Sequence, residues 1–136
     1  MRKFALIALA VFILSLLFSA CGQAKNPTVQ AKDPATKAVE DYLTALVNKN
    51  ADALSALSCA DWESQALLEL DAFQAVTTRL ENMACTATGT DGTTTQVNCQ
   101  GKILATYNGE DQQFDLSLRN YQVVQQGGEY LVCGYQ

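Results

Sequence analysis

The side chains best equipped for covalent chemistry in this chain are its cysteines. Cys59, Cys85, Cys99 and Cys133 lie in the body of the sequence, and Cys21 stands apart near the N-terminus. No two of them form a C-x-x-C pair, and the chain contains no histidine. That spacing argues against zinc, which takes clustered thiolates or imidazoles, and against a redox dithiol. Four cysteines in an exported domain read instead as two disulfides, with three possible connectivities. The lack of histidine also removes the commonest general base. Acid–base chemistry would fall to carboxylates and tyrosines, of which Asp61, Asp71, Asp115, Tyr42, Tyr107, Tyr121 and Tyr135 supply the types. Asp61 is better placed as a helix cap, and Asp115 alternates with Phe114 and Leu116, which turns it to solvent. There is no Gly-rich phosphate loop, nucleophile elbow or calcium loop. No catalytic residue, cofactor or metal is expected.

Cys21 belongs to a different pattern. Arg2 and Lys3 precede an uncharged apolar run from Phe4 to Phe18, which is followed by Ser19-Ala20-Cys21-Gly22. A basic start, an apolar stretch and small residues before a processing point are the parts of a secretory signal. The run of about 15 residues is shorter than the ~20 that a membrane-crossing helix needs. The segment Leu17-Phe18-Ser19-Ala20-Cys21 resembles the lipobox of bacterial lipoproteins. That resemblance implies that residues 1–20 are a signal peptide and that Cys21 becomes the first, lipidated residue. The protein would then be anchored in a cell membrane and face the extracytoplasmic side, in the periplasm or at the cell surface. Two or more acyl chains give stable anchoring. The rival readings are plain cleavage after Ala20, where Phe18 is a poor fit to the small-residue preference, and an uncleaved anchor.

The chain carries a formal charge of −5, and losing Arg2 and Lys3 leaves 7 basic against 14 acidic residues, or −7. Such a domain has no electrostatic footprint for nucleic acid. It is also poorly suited to lie flat on anionic lipid. The 116 residues that follow Ala20 suit one domain plus a tether. Residues 21–33 are polar and without apolar period, a flexible tether spanning ~20 Å. The folded domain is expected over residues 34–136.

The elements that must position these residues follow from periodicity. Asp33-Pro34 is a helix start, an acceptor followed by a proline whose missing N–H costs nothing there. Val39, Tyr42, Leu43, Leu46 and Val47 make one apolar stripe, and Asn48-Lys49-Asn50 ends it. Asn50 caps a short second helix with Ala53, Leu54 and Leu57. Asp61 is expected to cap a third, bearing Trp62, Ala66, Leu67 and Leu70. Residues 71–79 extend it by a turn or two. From about Leu80 the period becomes two: Met83, Cys85 and Ala87 alternate with polar residues, and Val97, Cys99, Gly101, Ile103, Ala105 and Tyr107 share one strand face. Asp91-Gly92, Asn108-Gly109-Glu110-Asp111 and Gln126-Gly127-Gly128 are turns. Phe114, Leu116 and Leu118 open an inward strand face that continues toward Tyr121 and Val123, and Tyr130 to Tyr135 is the last strand. Helices followed by an antiparallel meander of about four strands make an α+β domain, with the first helix covering the sheet.

This register assigns the disulfides. Cys85 and Cys99 are equidistant from Gly92 and face each other across an odd-length loop centred there. Cys59 then remains for Cys133, a bridge that staples helices to sheet.

Val39-x-x-Tyr42-Leu43-x-Ala45-Leu46, Asn50-Ala51-Asp52-Ala53-Leu54 and the closing Glu129-Tyr130-Leu131-Val132-Cys133-Gly134-Tyr135 resemble the opening helices and final strand of the NTF2-like (cystatin-like) superfamily. The resemblance covers about residues 34–136. It implies helices packed on a curved antiparallel sheet with a cone between them, a setting used by dehydratases, isomerases and domains that only bind or assemble. Trp62 and Phe73 are expected to border a pocket between the third helix and the sheet, with Tyr42 and Tyr107 as further candidate ligand contacts. Arg119 falls in the solvent phase of its strand and Arg79 just before the sheet; either could meet an anionic ligand. The expected role is non-catalytic: a partner protein or a small apolar ligand bound at the cell envelope. The alternatives are a small NTF2-like enzyme of carboxylate or tyrosine chemistry, and an assembly module such as a homodimer through the outer sheet face. That outer phase is rich in Gln, Asn and Thr, which argues against a large apolar interface.

Overall fold

The computed structural model describes residues 32–136. The expected signal peptide, Cys21 and all but the last two residues of the tether lie outside the described residues. Among the described residues, no helix is long and apolar enough to cross a membrane.

Helix α1 (Pro34–Val47) starts as its sequence dictates: the Asp33 carboxylate accepts the Thr36 N–H at 3.1 Å. It ends at Asn48, beyond which Lys49 turns left-handed with φ +56° and the Asn50 N–H returns to the Ala45 carbonyl at 3.0 Å. The Asn50 side chain then caps α2 (Ala51–Ala56) through the Ala53 N–H. Helix α3 (Ala60–Ala72) corrects the expected cap. Its N-cap is Cys59, with no side-chain acceptor, and Asp61 sits in the first turn, where its charge still favours the helix N-terminus. Helix α3 also stops earlier than expected. A turn at Phe73–Val76 leads directly into β1 (Thr77–Asp91), because two ties pin the chain there. Lys49 Nζ donates to the Val76 carbonyl at 2.5 Å, and Thr78 Oγ1 donates to the Val47 carbonyl at 2.6 Å.

Five antiparallel strands form a curved open sheet. β1 pairs along the length of β2 (Thr94–Tyr107). The other flank of β2 is shared, with β3 (Glu110–Asp115) on its second half and β4 (Asn120–Gln126) on its first. β5 (Glu129–Tyr135) completes the sheet beyond β4. The turns into β3 and β5 hold only two residues, Asn108-Gly109 and Gly127-Gly128, all four at positive φ, as right-twisted hairpins require. Where one strand was expected from Phe114 onward, the structure has two, separated by a 3₁₀ turn at Leu116–Leu118. Parity explains the break. Leu116 is buried and even-numbered, while Tyr121 and Val123 are buried and odd-numbered, and one unbroken strand cannot bury both sets. The Asp115 carboxylate makes the turn by accepting the Ser117 N–H at 2.8 Å and its hydroxyl at 2.7 Å. In consequence Leu118 is 77% exposed, contrary to the expected inward face, while Phe114 keeps that face opposite Ile103 but is 38% exposed.

A bulge likewise shifts parity in β1. Asn82 and Met83 oppose Gly101 alone, so the inward positions pass from Thr78 and Leu80 to Cys85 and Ala87. Gly101 has φ +96°, and a Cβ on it would stand 2.5 Å from the Glu81 carbonyl oxygen.

Both disulfides join the expected partners. Cys85 and Cys99 are cross-strand neighbours with Cα atoms 4.0 Å apart. The loop between them has two residues, Gly92 and Thr93, instead of an odd number, and a second irregularity at Thr88 restores the pairing. The Cys85 N–H points away from β2 and is accepted by Glu40 of α1 at 3.2 Å. Cys59 and Cys133 have Cα atoms 5.2 Å apart. Beside them the segment Leu57–Cys59 forms a short parallel bridge to the outer edge of β5, giving two backbone hydrogen bonds to Val132 at 2.8 and 2.9 Å. The core lies between α1 and the sheet: Val39, Tyr42, Leu43 and Leu46 pack with Val97, Ile103, Tyr121, Val123 and Val132, all at most 1% exposed.

Candidate functional site

Helix α3 presents Trp62, Ala66, Glu69 and Phe73 at a spacing of four, three and four residues, which aligns them on one face. This face looks onto the sheet and builds two adjoining features.

The first is a polar aromatic cluster. Trp62 lies edge-on to Tyr135, with centroids 5.4 Å apart, and beside Gly134, whose φ of +137° is one that L side chains rarely adopt. The Trp62 indole N–H donates to the Tyr42 hydroxyl at 3.1 Å. Tyr121 meets Tyr42 and Tyr135 with centroids 6.4 and 5.7 Å away. The Tyr135 hydroxyl donates to Glu69 Oε1. Arg119 Cζ lies over the Tyr135 ring, 4.3 Å from its centroid, and the guanidinium comes within 3.8 Å of Glu69 Oε2. Burial raises the ionisation of three phenols above the ordinary tyrosine value. Tyr135 is pushed up to about 12 by burial and by its bond to the Glu69 carboxylate. Tyr42 is pushed higher by burial, partly opposed by the indole N–H. Tyr121 is raised by burial and held back by the Arg119 charge.

The second feature is an apolar groove. It runs between the C-terminal turn of α3 and strands β2 and β3, in two adjoining hollows of about 230 and 300 Å³. Ala72, Phe73 and Phe114 line both; Ile103 belongs to one and Val76, Ala105 and Tyr107 to the other. Phe73 and Phe114 meet edge to face with centroids 5.7 Å apart. Glu69 and Arg119 close one end, so the groove begins where the polar cluster stops.

Of the expected ligand contacts, Phe73 and Tyr107 line the groove. Tyr107 stands at the strand end, on the face of Ile103 and Ala105 as expected, but 55% exposed. Tyr42 is fully buried, and Trp62 lies in the cluster beside it, so neither lines the groove. Asp115 is exposed, as expected, and acts as a turn acceptor. Arg119 departs from the expected solvent phase, because the 3₁₀ turn puts it in step with Tyr121. Arg79 lies within β1 and not before the sheet, ion-paired to Asp111 at 3.0 Å and Glu81 at 3.3 Å. Sequence reasoning missed Glu69, although a carboxylate seven residues after Trp62 on an otherwise apolar helix face was a visible signal. Among the described residues, no group of three or more His, Cys, Asp or Glu could hold a metal ion.

Comparison with known proteins finds no matching family model, no matching curated protein and no matching solved structure.

Proposed function

We propose that this is a lipid-anchored extracytoplasmic protein whose NTF2-like domain binds a small apolar ligand without transforming it. The observation that carries the reading is the groove: Phe114 is half-exposed at its centre, edge-on to Phe73, on a wall of Ala, Val and Ile side chains. Concave apolar sites with a few convergent polar groups at one end are the usual form of small-ligand sites. Helices α1 and α3 over a curved antiparallel sheet, with a polar aromatic cluster between them, support the NTF2-like assignment. The signal-like N-terminus and Cys21 support the anchor, and two disulfides suit an oxidising compartment. A protein partner would more naturally use a broad exposed face than a groove of this size.

The test is native mass spectrometry of the protein released gently from its own membrane. The expected species begins at Cys21 and carries acyl mass and two disulfides, each costing two hydrogens. It is a monomer that retains one small molecule. An unacylated chain that keeps residues 1–20 would overturn the anchor, and a chain that never retains a small molecule would count against the ligand.

A further inference from the structure

At its polar end the groove offers hydrogen-bond donors with too few acceptors to receive them. Arg119 presents a guanidinium of five N–H donors and no acceptor. Its position is set by stacking on Tyr135, and its nearest carboxylate oxygen is Glu69 Oε2 at 3.8 Å, beyond hydrogen-bond reach. The other Glu69 oxygen is already taken by the Tyr135 hydroxyl. The Tyr121 hydroxyl is wholly enclosed and lines neither hollow, so the guanidinium is the donor the groove presents. Of the two charged side chains at this end, the cation is the more open: the Arg119 side chain is 29% exposed, that of Glu69 14%.

We infer that the ligand is a single-chain amphiphile with a carboxylate head, received by Arg119, its apolar chain lying along Phe73 and Phe114. A carboxylate supplies two acceptor oxygens, which match the guanidinium fork. This inference rests on the groove being a small-ligand site and adds the chemistry of its head.

The experiment titrates the full chain with three eight-carbon probes by calorimetry at neutral pH: octanoate, octanol and octylammonium. Octanoate is expected to bind at least about tenfold tighter than octanol, the usual worth of a charge-assisted hydrogen bond, and octylammonium weakest. Arg119→Gln should bring octanoate down to the level of octanol, while Arg119→Lys keeps part of the preference. If Arg119→Gln fails to fold, the ranking of the three probes on the unaltered chain decides by itself. Equal binding of octanoate and octanol, or a preference for octylammonium, overturns the carboxylate head while the groove stands. Binding of none of the three overturns both.

Discussion

Replacing Gly101 by alanine should be the most damaging single-atom change in the sheet. Gly101 faces the bulge that lets β1 change parity, and its φ of +96° is one that L side chains rarely adopt. An added Cβ would stand 2.5 Å from the Glu81 carbonyl oxygen, 2.6 Å from that of Asn82 and 2.7 Å from the Asn82 carbonyl carbon. These are backbone atoms held in a ladder, not the end of a side chain that can swing away. The unfavourable backbone region alone costs about 1–3 kcal/mol, and relieving the clash adds to it. A loss of about 3 kcal/mol, at a urea slope of about 1.5 kcal/mol/M, lowers the unfolding midpoint by about 2 M. Gly89 is the matched control. It has no positive φ, and a Cβ there meets nothing within 4 Å, so Gly89→Ala should be neutral or stabilising by up to about 1 kcal/mol. Urea unfolding with both disulfides intact measures the pair. A Gly101→Ala protein as stable as its parent would refute the bulge and the strand register built on it.

The two disulfides should differ in worth. Their sequence separations are 74 and 14, which in a chain-entropy picture correspond to about 4.5 and 3 kcal/mol. Replacing Cys59 and Cys133 together by serine should therefore lower stability more than replacing Cys85 and Cys99, as thermal or urea unfolding will show. Raising the pH should also destabilise the domain. Tyr42, Tyr121 and Tyr135 ionise less readily in the fold than in the unfolded chain. Their contribution is thus complete below pH ~10 and is lost as pH climbs from there through about 12, where Tyr135 titrates. Phenolate absorbance followed against pH should show these three titrating above the free-tyrosine range, together with unfolding.

Much of this architecture was legible because local chemistry and global fold agree. Asp33-Pro34, Asn50 and the Asn-Gly and Gly-Gly turns each admit few conformations, and the structure uses them as read. The cysteine pairing was legible for a subtler reason. The true hairpin loop has two residues where an equidistant reading needs an odd number, and the irregularity at Thr88 cancels the difference. What failed were the breaks in period. The change from even Leu116 to odd Tyr121 could have announced the 3₁₀ turn, and the same change moves Arg119 from solvent to the mouth of the groove. The early end of α3 depends on Lys49 and Thr78, distant residues whose hydrogen bonds no local window contains. Glu69 stood on the correct helix face but was not singled out, and only tertiary packing brings Tyr135 and Arg119 to it.

The central claim is that the groove holds an apolar ligand, and Phe114 tests it most directly. Its ring is already part-exposed, so Phe114→Ser should leave the fold intact while removing the middle of the groove wall. Leu68→Ser, on the same helix as Phe73 but 62% exposed and outside both hollows, is the control for a general loss of apolar surface. Binding of an apolar fluorescent probe, followed by its emission, should weaken about tenfold or more in Phe114→Ser, in keeping with the worth of a buried aromatic contact, and stay unchanged in Leu68→Ser. Equal binding by the parent and both variants would place the ligand elsewhere and contradict the account.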